Sequence, residues 1–124
     1  MVVIDYVSST PSMASRPWTD WLRTYRGHGR GGHPLTHLGA QDITCEVAVD
    51  QLAAVAALTV DQSQAEFLVA HGLDELVSAA RRTWTERAPI GDLEALKARS
   101  RIGEAAALID PTGLGAFRVM QWRR

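Results

Sequence analysis

Two stripes of apolar residues recur at helical spacing in the second half of the chain. The first stripe comprises Leu73, Leu76, Val77, Ala80 and Trp84. The second follows Asp92 and comprises Ala95, Ala98, Ile102, Ala105, Ala106 and Ile109. Prolines and glycines follow both stripes, and these residues end helices. The pattern predicts two long helices whose apolar stripes are buried.

Shorter segments have the pattern of strands. Val2 to Ile4 form a continuous apolar run, typical of a strand buried on both faces of a parallel sheet. Asp5 and Tyr6 stand at its carboxyl end, where open α/β sheets bind ligands, although Asp5 could equally cap a turn. A second strand is predicted where apolar and polar residues alternate, with Ile43, Cys45, Val47 and Val49 on one face. Extended structure is also expected over residues 22–26, 58–60 and 116–122.

The remaining segments are short. Ser- and Pro-rich residues 7–17 predict a surface loop, and Pro17 to Trp21 a helical turn. Asp50 is placed to cap a short helix with its apolar residues turned inward, namely Leu52, Val55 and Ala56. Residues 62–70 are expected to be helical.

Composition narrows the range of functions. The 124 residues allow one domain at most, and 13 basic against 14 acidic side chains give no basic field to recruit nucleic acid or an anionic membrane. Apolar runs fall short of the roughly 20 residues of a membrane span, and the chain does not begin like a signal peptide. Cys45, the single cysteine, cannot form an internal disulfide and is predicted to be a half-buried thiol. We expect a cytoplasmic protein.

Residues Leu22 to Thr44 contain three generic motifs, for nucleotide, metal and RNA binding, and none of them has the sequence context that its function requires. The glycines form a G-x-G-x-x-G at Gly27, Gly29 and Gly32, but no amphipathic helix follows to receive a pyrophosphate. Three histidines and Asp42 have metal-like spacing, but they share a loop without a preorganised turn, so no metal is expected. The histidines are His28, His33 and His37. A single RGG in a neutral chain is not an RNA-binding tract.

The order of several specific motifs resembles one known family. The segments VIDY, LRTYRGH, HPLTHLGAQDITCEV and DQSQAEFLVAHGL occur in the order found in the carboxyl-terminal half of the MidA family of S-adenosylmethionine-dependent methyltransferases. That family includes the arginine methyltransferase of mitochondrial complex I assembly. The resemblance covers residues 2–73 well and residues 116–122 loosely. His33 and His37-Leu38 depart from the family pattern in the loop.

The resemblance implies an α/β fold. The chain would be the carboxyl-terminal half of a class I, Rossmann-like methyltransferase sheet, with residues 58–60 and 116–122 as a terminal antiparallel strand pair and the two long helices inserted between them. Residues 1–124 would form a single partial domain that starts at about the fifth strand. The main S-adenosylmethionine site would then lie outside this chain, and its cofactor-binding residues here are unknown.

The resemblance also implies the chemistry of a site. Asp42 and Asp5 would be the catalytic carboxylates that relieve the charge of an acceptor guanidinium. The substrate-binding residues would be Tyr6, Tyr25, Arg26, His28 and Gln41. In the alternative interpretation, Arg26 and Asp42 pair to hold the glycine loop.

The expected partners are a protein substrate, and either the missing amino-terminal half or a second copy of the chain. No nucleic acid or membrane is expected. The rival function is a non-catalytic interaction module, a truncated or split-gene product.

Overall fold

The computed structural model describes residues 1 to 123, which divide into two compact units. One unit combines Met1–Ile4 with the chain from Thr59 onward, and the other comprises Asp5–Leu58. In chain order the elements are β1 (Val2–Asp5), β2 (Val7–Ser8), α1 (Thr10–Ala14), α2 (Trp18–Trp21), β3 (Leu22–Arg26), β4 (Gly29–Arg30), β5 (Asp42–Cys45), β6 (Val47–Ala48), α3 (Val49–Val55), β7 (Val60–Ser63), α4 (Gln64–Ala70), α5 (Leu73–Arg87), α6 (Leu93–Ile109), a 3-10 turn (Leu114–Ala116) and β8 (Arg118–Gln121).

The first unit contains a sheet with the strand order β1-β8-β7. β7 and β8 are antiparallel, with Val60 opposite Gln121 and Ser63 opposite Arg118. This pairing confirms the predicted terminal antiparallel pair, with both long helices between its strands in the chain. β7 begins two residues later than the start of the expected extended segment, at Val60 rather than Leu58. β7 also extends further than expected, to Ser63, so Gln62 and Ser63 belong to the strand and not to the predicted helix over residues 62–70.

β1 is confirmed as a strand, but its predicted burial on both faces is wrong for this chain. Val2 is 54% exposed and Ile4 is 44% exposed. Within the described residues, β1 is an outer strand of its sheet with β8 as its neighbour. An apolar strand is buried on both faces only inside a wider sheet that is covered on both sides.

The core of the first unit forms where small residues let α5 and α6 approach each other. Its buried apolar residues are Ala80, Ala95, Ala98, Ala105, Val119 and Met120. The two predicted stripes are confirmed as helices, but in each helix some residues of the apolar stripe lie outside the buried α5–α6 contact. Leu76 is 68% exposed and lines an open groove of about 490 Å³ between α5 and α6, and Ala106 is also exposed.

Side chains at the helix starts satisfy backbone N–H groups that have no partner inside the helix. The Asp92 carboxylate accepts the Ala95 N–H at 3.0 Å and pairs with Arg87. The Arg87 side chain and the Ala95 N–H both lower the pKa of that carboxyl. At the start of α4, Ser63 and Glu66 form a capping box, in which each side chain accepts the other's backbone N–H.

The second unit corrects the prediction of a surface loop over residues 7–17. The predicted loop over residues 7–17 contains β2 and α1, because Ser9 caps the helix by accepting the Ser12 N–H at 3.3 Å. Pro11 stands in the first turn of α1, where its missing N–H costs nothing. β2 pairs in parallel with β6.

The helix expected after Asp50 begins earlier than predicted. α3 starts at Val49, so Val49 leaves the predicted strand, and the Asp50 carboxylate instead accepts the Thr10 N–H at 2.8 Å. That hydrogen bond lowers the pKa of Asp50. The predicted inner face of α3 is wrong within this chain, since Leu52 is 37% exposed and Val55 is 89% exposed.

The alternation predicted from Ile43 is present in β5, but the side expected to be buried is the exposed side. Ile43 is 52% exposed, and Cys45 is exposed rather than half-buried. Thr44, expected on the outer face, is half-buried because it faces Tyr6. None of the helices within residues 1 to 123 is both long and apolar enough to cross a lipid bilayer.

A matched pair of glycine substitutions tests the packing of the first unit. Gly115 is buried in the 3-10 turn, and a Cβ there would lie 2.4 Å from the Ile109 carbonyl carbon and 2.5 Å from its oxygen. Because backbone atoms cannot move aside cheaply, Gly115→Ala should lower the free energy of unfolding by roughly 1–3 kcal/mol. Gly103, inside α6, has open space around its Cβ position, so Gly103→Ala should raise that energy by about 0.5–1 kcal/mol.

Urea unfolding of both variants, followed by circular dichroism, measures the two changes. Equal stability of the two variants would contradict the close approach of the turn to the end of α6.

Candidate functional site

The candidate site lies on the second sheet of the second unit, in which β3 is the central strand of the order β4-β3-β5. β3 pairs antiparallel with β5, with Arg23 opposite Thr44 and Tyr25 opposite Asp42. β3 also pairs antiparallel with β4, with Tyr25 opposite Arg30. A tight hairpin joins β3 to β4. In this hairpin Gly27 takes a positive φ of 60°, which glycine adopts most easily.

This register decides which side chains share a face, because side chains alternate along a strand and opposite residues point the same way. One face, called here the candidate face, carries Arg23, Tyr25, Arg30, Asp42 and Thr44. The other face carries Leu22, Thr24, Arg26, Ile43 and Cys45. Of the predicted site residues, Tyr25 and Asp42 therefore come together and Arg26 lies on the opposite side.

Tyr6 joins the candidate face from the end of β1. Its hydroxyl hydrogen-bonds the Thr44 hydroxyl, and the Arg23 guanidinium lies over its ring at 5.7 Å from the centroid. The Asp5 carboxylate accepts the Tyr6 backbone N–H at 2.8 Å. Asp5 thus caps the strand end, as the alternative interpretation has it, and this contact fixes the backbone from which Tyr6 projects.

A row across the candidate face is open to solvent. Arg30, Tyr25 and Asp42 are directly opposite one another on the three strands, and all three are exposed. The Arg30 guanidinium lies over the Tyr25 ring at 5.2 Å from the centroid, a cation–π contact. Within residues 1 to 123, the Asp42 carboxylate accepts no hydrogen bond and forms no ion pair.

The alternative pairing of Arg26 with Asp42 has no contact to support it. No ion pair joins these two residues in the described part of the chain, and the register gives the reason. Asp42 points to the side of Tyr25, and Arg26, the next residue along β3, points to the other side. His28 lies in the exposed hairpin turn beyond Arg26.

Gln41 serves the loop that connects β4 to β5. Its side-chain amide nitrogen donates to three backbone carbonyls at 3.0, 3.2 and 2.6 Å, those of His33, Pro34 and Thr36. Its amide oxygen is buried without a hydrogen-bond partner within residues 1 to 123. The donor capacity of this predicted substrate-binding residue is therefore used by the fold.

The generic motifs of residues 22–44 take ordinary structural roles. Gly27 and Gly29 belong to the β3–β4 hairpin, and in the described part of the chain the element that follows Gly32 is β5 rather than a helix, so these glycines offer no helix start to the pyrophosphate of a dinucleotide. His33 packs edge-on against Trp18 and accepts the Leu35 N–H on Nδ1 at 3.2 Å. Groups of three or more His, Cys, Asp or Glu side chains able to hold a metal ion do not occur among the described residues.

Sequence reasoning missed the two arginines of the candidate face. Arg23 precedes Tyr25 by two residues and so shares its face once residues 22–26 form a strand. That signal was available from the sequence. Arg30 required knowledge of the hairpin register, which the sequence leaves open. The resulting face combines two guanidinium groups on tyrosine rings with one carboxylate, an arrangement suited to a ligand that carries both charges.

Comparisons with known proteins give structural matches alone. No protein-family model and no curated protein matches the chain. A crystal structure of an uncharacterised COG1565 superfamily protein from Burkholderia thailandensis matches with a TM-score of 0.67 and 26% identity, over 99% of this chain and 32% of that one. A second structure from the same organism is described as a COG1565 superfamily member and "likely methyl transferase" bound to S-adenosyl-homocysteine. It matches with a TM-score of 0.61 and 25% identity, over 96% of this chain and 30% of that one.

These matches agree with an α/β fold of the methyltransferase kind. The chain spans about a third of the length of the two solved structures it matches.

The role of Gln41 can be tested by Gln41→Glu, which keeps the shape of the side chain but replaces the donating amide with a carboxylate. The carboxylate would face the three carbonyls that now accept the amide hydrogens. We expect amide hydrogen exchange over residues 33–40 to accelerate by roughly tenfold or more, because the loss of hydrogen bonds worth about 1 kcal/mol each loosens the loop.

Gln51→Glu serves as the control, because the Gln51 amide donates to the Thr10 hydroxyl and not to this loop. Unchanged exchange over residues 33–40 in Gln41→Glu would return Gln41 to the set of substrate-binding candidates.

Proposed function

We propose that this chain is the carboxyl-terminal, substrate-side portion of a MidA-like S-adenosylmethionine-dependent protein methyltransferase, with an arginine side chain as the acceptor. The observation that supports the proposal most directly is the structural match over 96% of the chain to a protein that binds S-adenosyl-homocysteine. S-adenosyl-homocysteine is what remains of S-adenosylmethionine after its methyl group has been transferred. The family motifs at Asp5-Tyr6, Tyr25-Arg26 and Gln41-Asp42 add to this support.

The candidate face offers what such an acceptor needs. Transfer of a methyl group from a sulfonium is an in-line displacement, so the acceptor nitrogen must be held still and its positive charge relieved. The Asp42 carboxylate, which has no partner within residues 1 to 123, is placed to accept hydrogen bonds from a guanidinium. The ring of Tyr25 beside it provides a flat wall on which a planar guanidinium can stack.

The other predicted residues take supporting roles in this proposal. Asp5 holds the backbone of Tyr6 and so acts as a positioning residue rather than as a second catalytic carboxylate. Tyr6 is tied to Thr44 and Arg23, which supports the edge of the face next to the open row. Arg26 and His28 lie away from the candidate face, so they contact a protein substrate only if it extends around the β3–β4 hairpin.

The cofactor belongs outside this chain in the proposal. When bound, S-adenosylmethionine supplies the methyl group, and the family resemblance implies that its main site lies in the amino-terminal portion. The partners are therefore a protein substrate and an amino-terminal portion, and this chain covers only 32% and 30% of the two solved structures.

The first test is substitution of the carboxylate. In an enzyme reconstituted with an amino-terminal portion, Asp42→Asn should lower the methylation rate by roughly 10- to 1000-fold, because it removes the charge and keeps the shape. The melting temperature should stay nearly unchanged, because the carboxylate has no partner in the described fold. Transfer of a radiolabelled methyl group to protein measures the rate.

Arg26→Gln is the control, because it removes a charge on the opposite face of the same sheet. A normal rate in Asp42→Asn would refute the assigned role. A lowered melting temperature in both single variants, without further loss in the double variant, would restore the structural pairing of Arg26 with Asp42.

The second test concerns the cofactor. Titration calorimetry of this chain alone with S-adenosylmethionine should show no binding at micromolar concentrations, whereas the reconstituted enzyme should bind. Micromolar affinity of the isolated chain would contradict the assignment of the main cofactor site to another segment.

A further inference from the structure

The open row of the candidate face has opposite charges at its two ends. Arg30 on β4 and Asp42 on β5 flank Tyr25 on β3, and all three side chains are exposed. Two strand spacings, roughly 10 Å, separate the backbones of Arg30 and Asp42. The Arg30 guanidinium leans inward over the Tyr25 ring, at 5.2 Å from its centroid. Arg30 and Asp42 form no ion pair with each other.

Neither charge has an ionic partner within residues 1 to 123. There the Asp42 carboxylate has no hydrogen bond or ion pair, and the Arg30 guanidinium makes a cation–π contact with the ring of Tyr25 but no side-chain hydrogen bond or ion pair. Stacking on the ring leaves the N–H groups at the edge of the guanidinium available, and those groups match a carboxylate. The row therefore presents a donor fork, an aromatic ring and an acceptor in line.

We infer that this row binds an extended protein segment in which a basic side chain and an acidic side chain are two residues apart. Side chains at i and i+2 of an extended segment leave the backbone on the same side, about 7 Å apart, and long side chains such as Arg and Glu can spread to reach across the roughly 10 Å between β4 and β5. The basic side chain lies at Asp42 and the acidic side chain at Arg30. The inference rests on the proposed function for the acceptor at Asp42 and adds the acidic residue as a determinant of substrate choice.

Charge complementarity also excludes other occupants. A uniformly basic segment would place a second cation against Arg30, and a uniformly acidic one would place an anion against Asp42, and like charges in contact oppose binding. The side chain at the intervening position points away from the candidate face, so the row sets no requirement on that residue.

The test uses this chain and four fluorescein-labelled peptides of one extended sequence. The two variable positions, separated by one glycine, carry Arg and Glu, Arg and Gln, Gln and Glu, or Gln and Gln. Fluorescence polarisation at low salt gives the four dissociation constants. We expect the Arg-Gly-Glu peptide to bind about two- to fivefold more tightly than either singly substituted peptide, the range of exposed charge pairs. The difference should vanish at high salt, because exposed charges are screened.

Two variants assign each preference to its residue. Arg30→Gln should abolish the preference for Glu over Gln and keep the preference for Arg over Gln. Asp42→Asn should abolish the preference for Arg over Gln and keep the preference for Glu over Gln. A third variant, Arg30→Glu, should reverse the preference at the acidic position and favour Gln over Glu. Arg81→Gln, which removes the same charge from an exposed position on α5, should leave all four constants unchanged. Matching circular dichroism spectra show that each variant folds.

The inference is overturned if the four peptides bind wild-type chain equally, or if Arg30→Gln retains the preference for Glu. Methylation is a separate readout in the reconstituted enzyme. Methylation without any preference for the acidic residue refutes the inference alone, whereas selective binding without methylation refutes the proposed function alone.

Discussion

The antiparallel register between β3 and β5 determines the surface chemistry of the second unit. Leu22 lies opposite Cys45, and each of the next three residues of β3 has its own partner down to Tyr25 opposite Asp42. Because the side-chain period of a strand is two, a slip of one residue would move every side chain of β5 to the other face. Asp42 would then lie beside Arg26 and leave Tyr25. The candidate row therefore depends on the ladder rather than on any contact that Asp42 itself makes.

The two faces of the β4-β3-β5 sheet differ in how they contact the rest of the unit. Thr24 is buried on the face opposite Asp42, and its hydroxyl donates to the Gly32 carbonyl at 2.7 Å. Gly31 packs so closely there that a Cβ would lie 2.8 Å from the side-chain oxygens of both Thr24 and Gln41. This face anchors the β4–β5 loop. The candidate face is left open at Tyr25 and its two neighbours.

The helices of the first unit were the most predictable part of the fold. Long stripes at helical spacing, with Asp92 before one and proline after both, specify helices from local information. Burial was less predictable, because Leu76 and Val55 are apolar but exposed. A periodic pattern shows which side of a helix is apolar, but it does not show how much of that side another element covers.

The candidate site was predictable only in part, and for a similar reason. Motif resemblance indicated Tyr25 and Asp42, which the structure brings together, and also Arg26 and Gln41, which it places elsewhere. Strand pairing between segments that are distant in sequence decides the difference, and it follows from tertiary contacts that single residues do not encode. Arg30 was missed because it follows the glycine turn and its partner depends on where that turn closes.

The exposed position of Cys45 gives this sheet a natural attachment point. It is the single cysteine of the sequence, and it lies on β5 opposite Leu22, on the reverse of the face that carries Asp42. A spin label or fluorophore coupled to its sulfur would need no cysteine to be removed elsewhere. Such a reporter would stand on the back of the sheet, three residues from Asp42 along the same strand, and would leave the open row unobstructed.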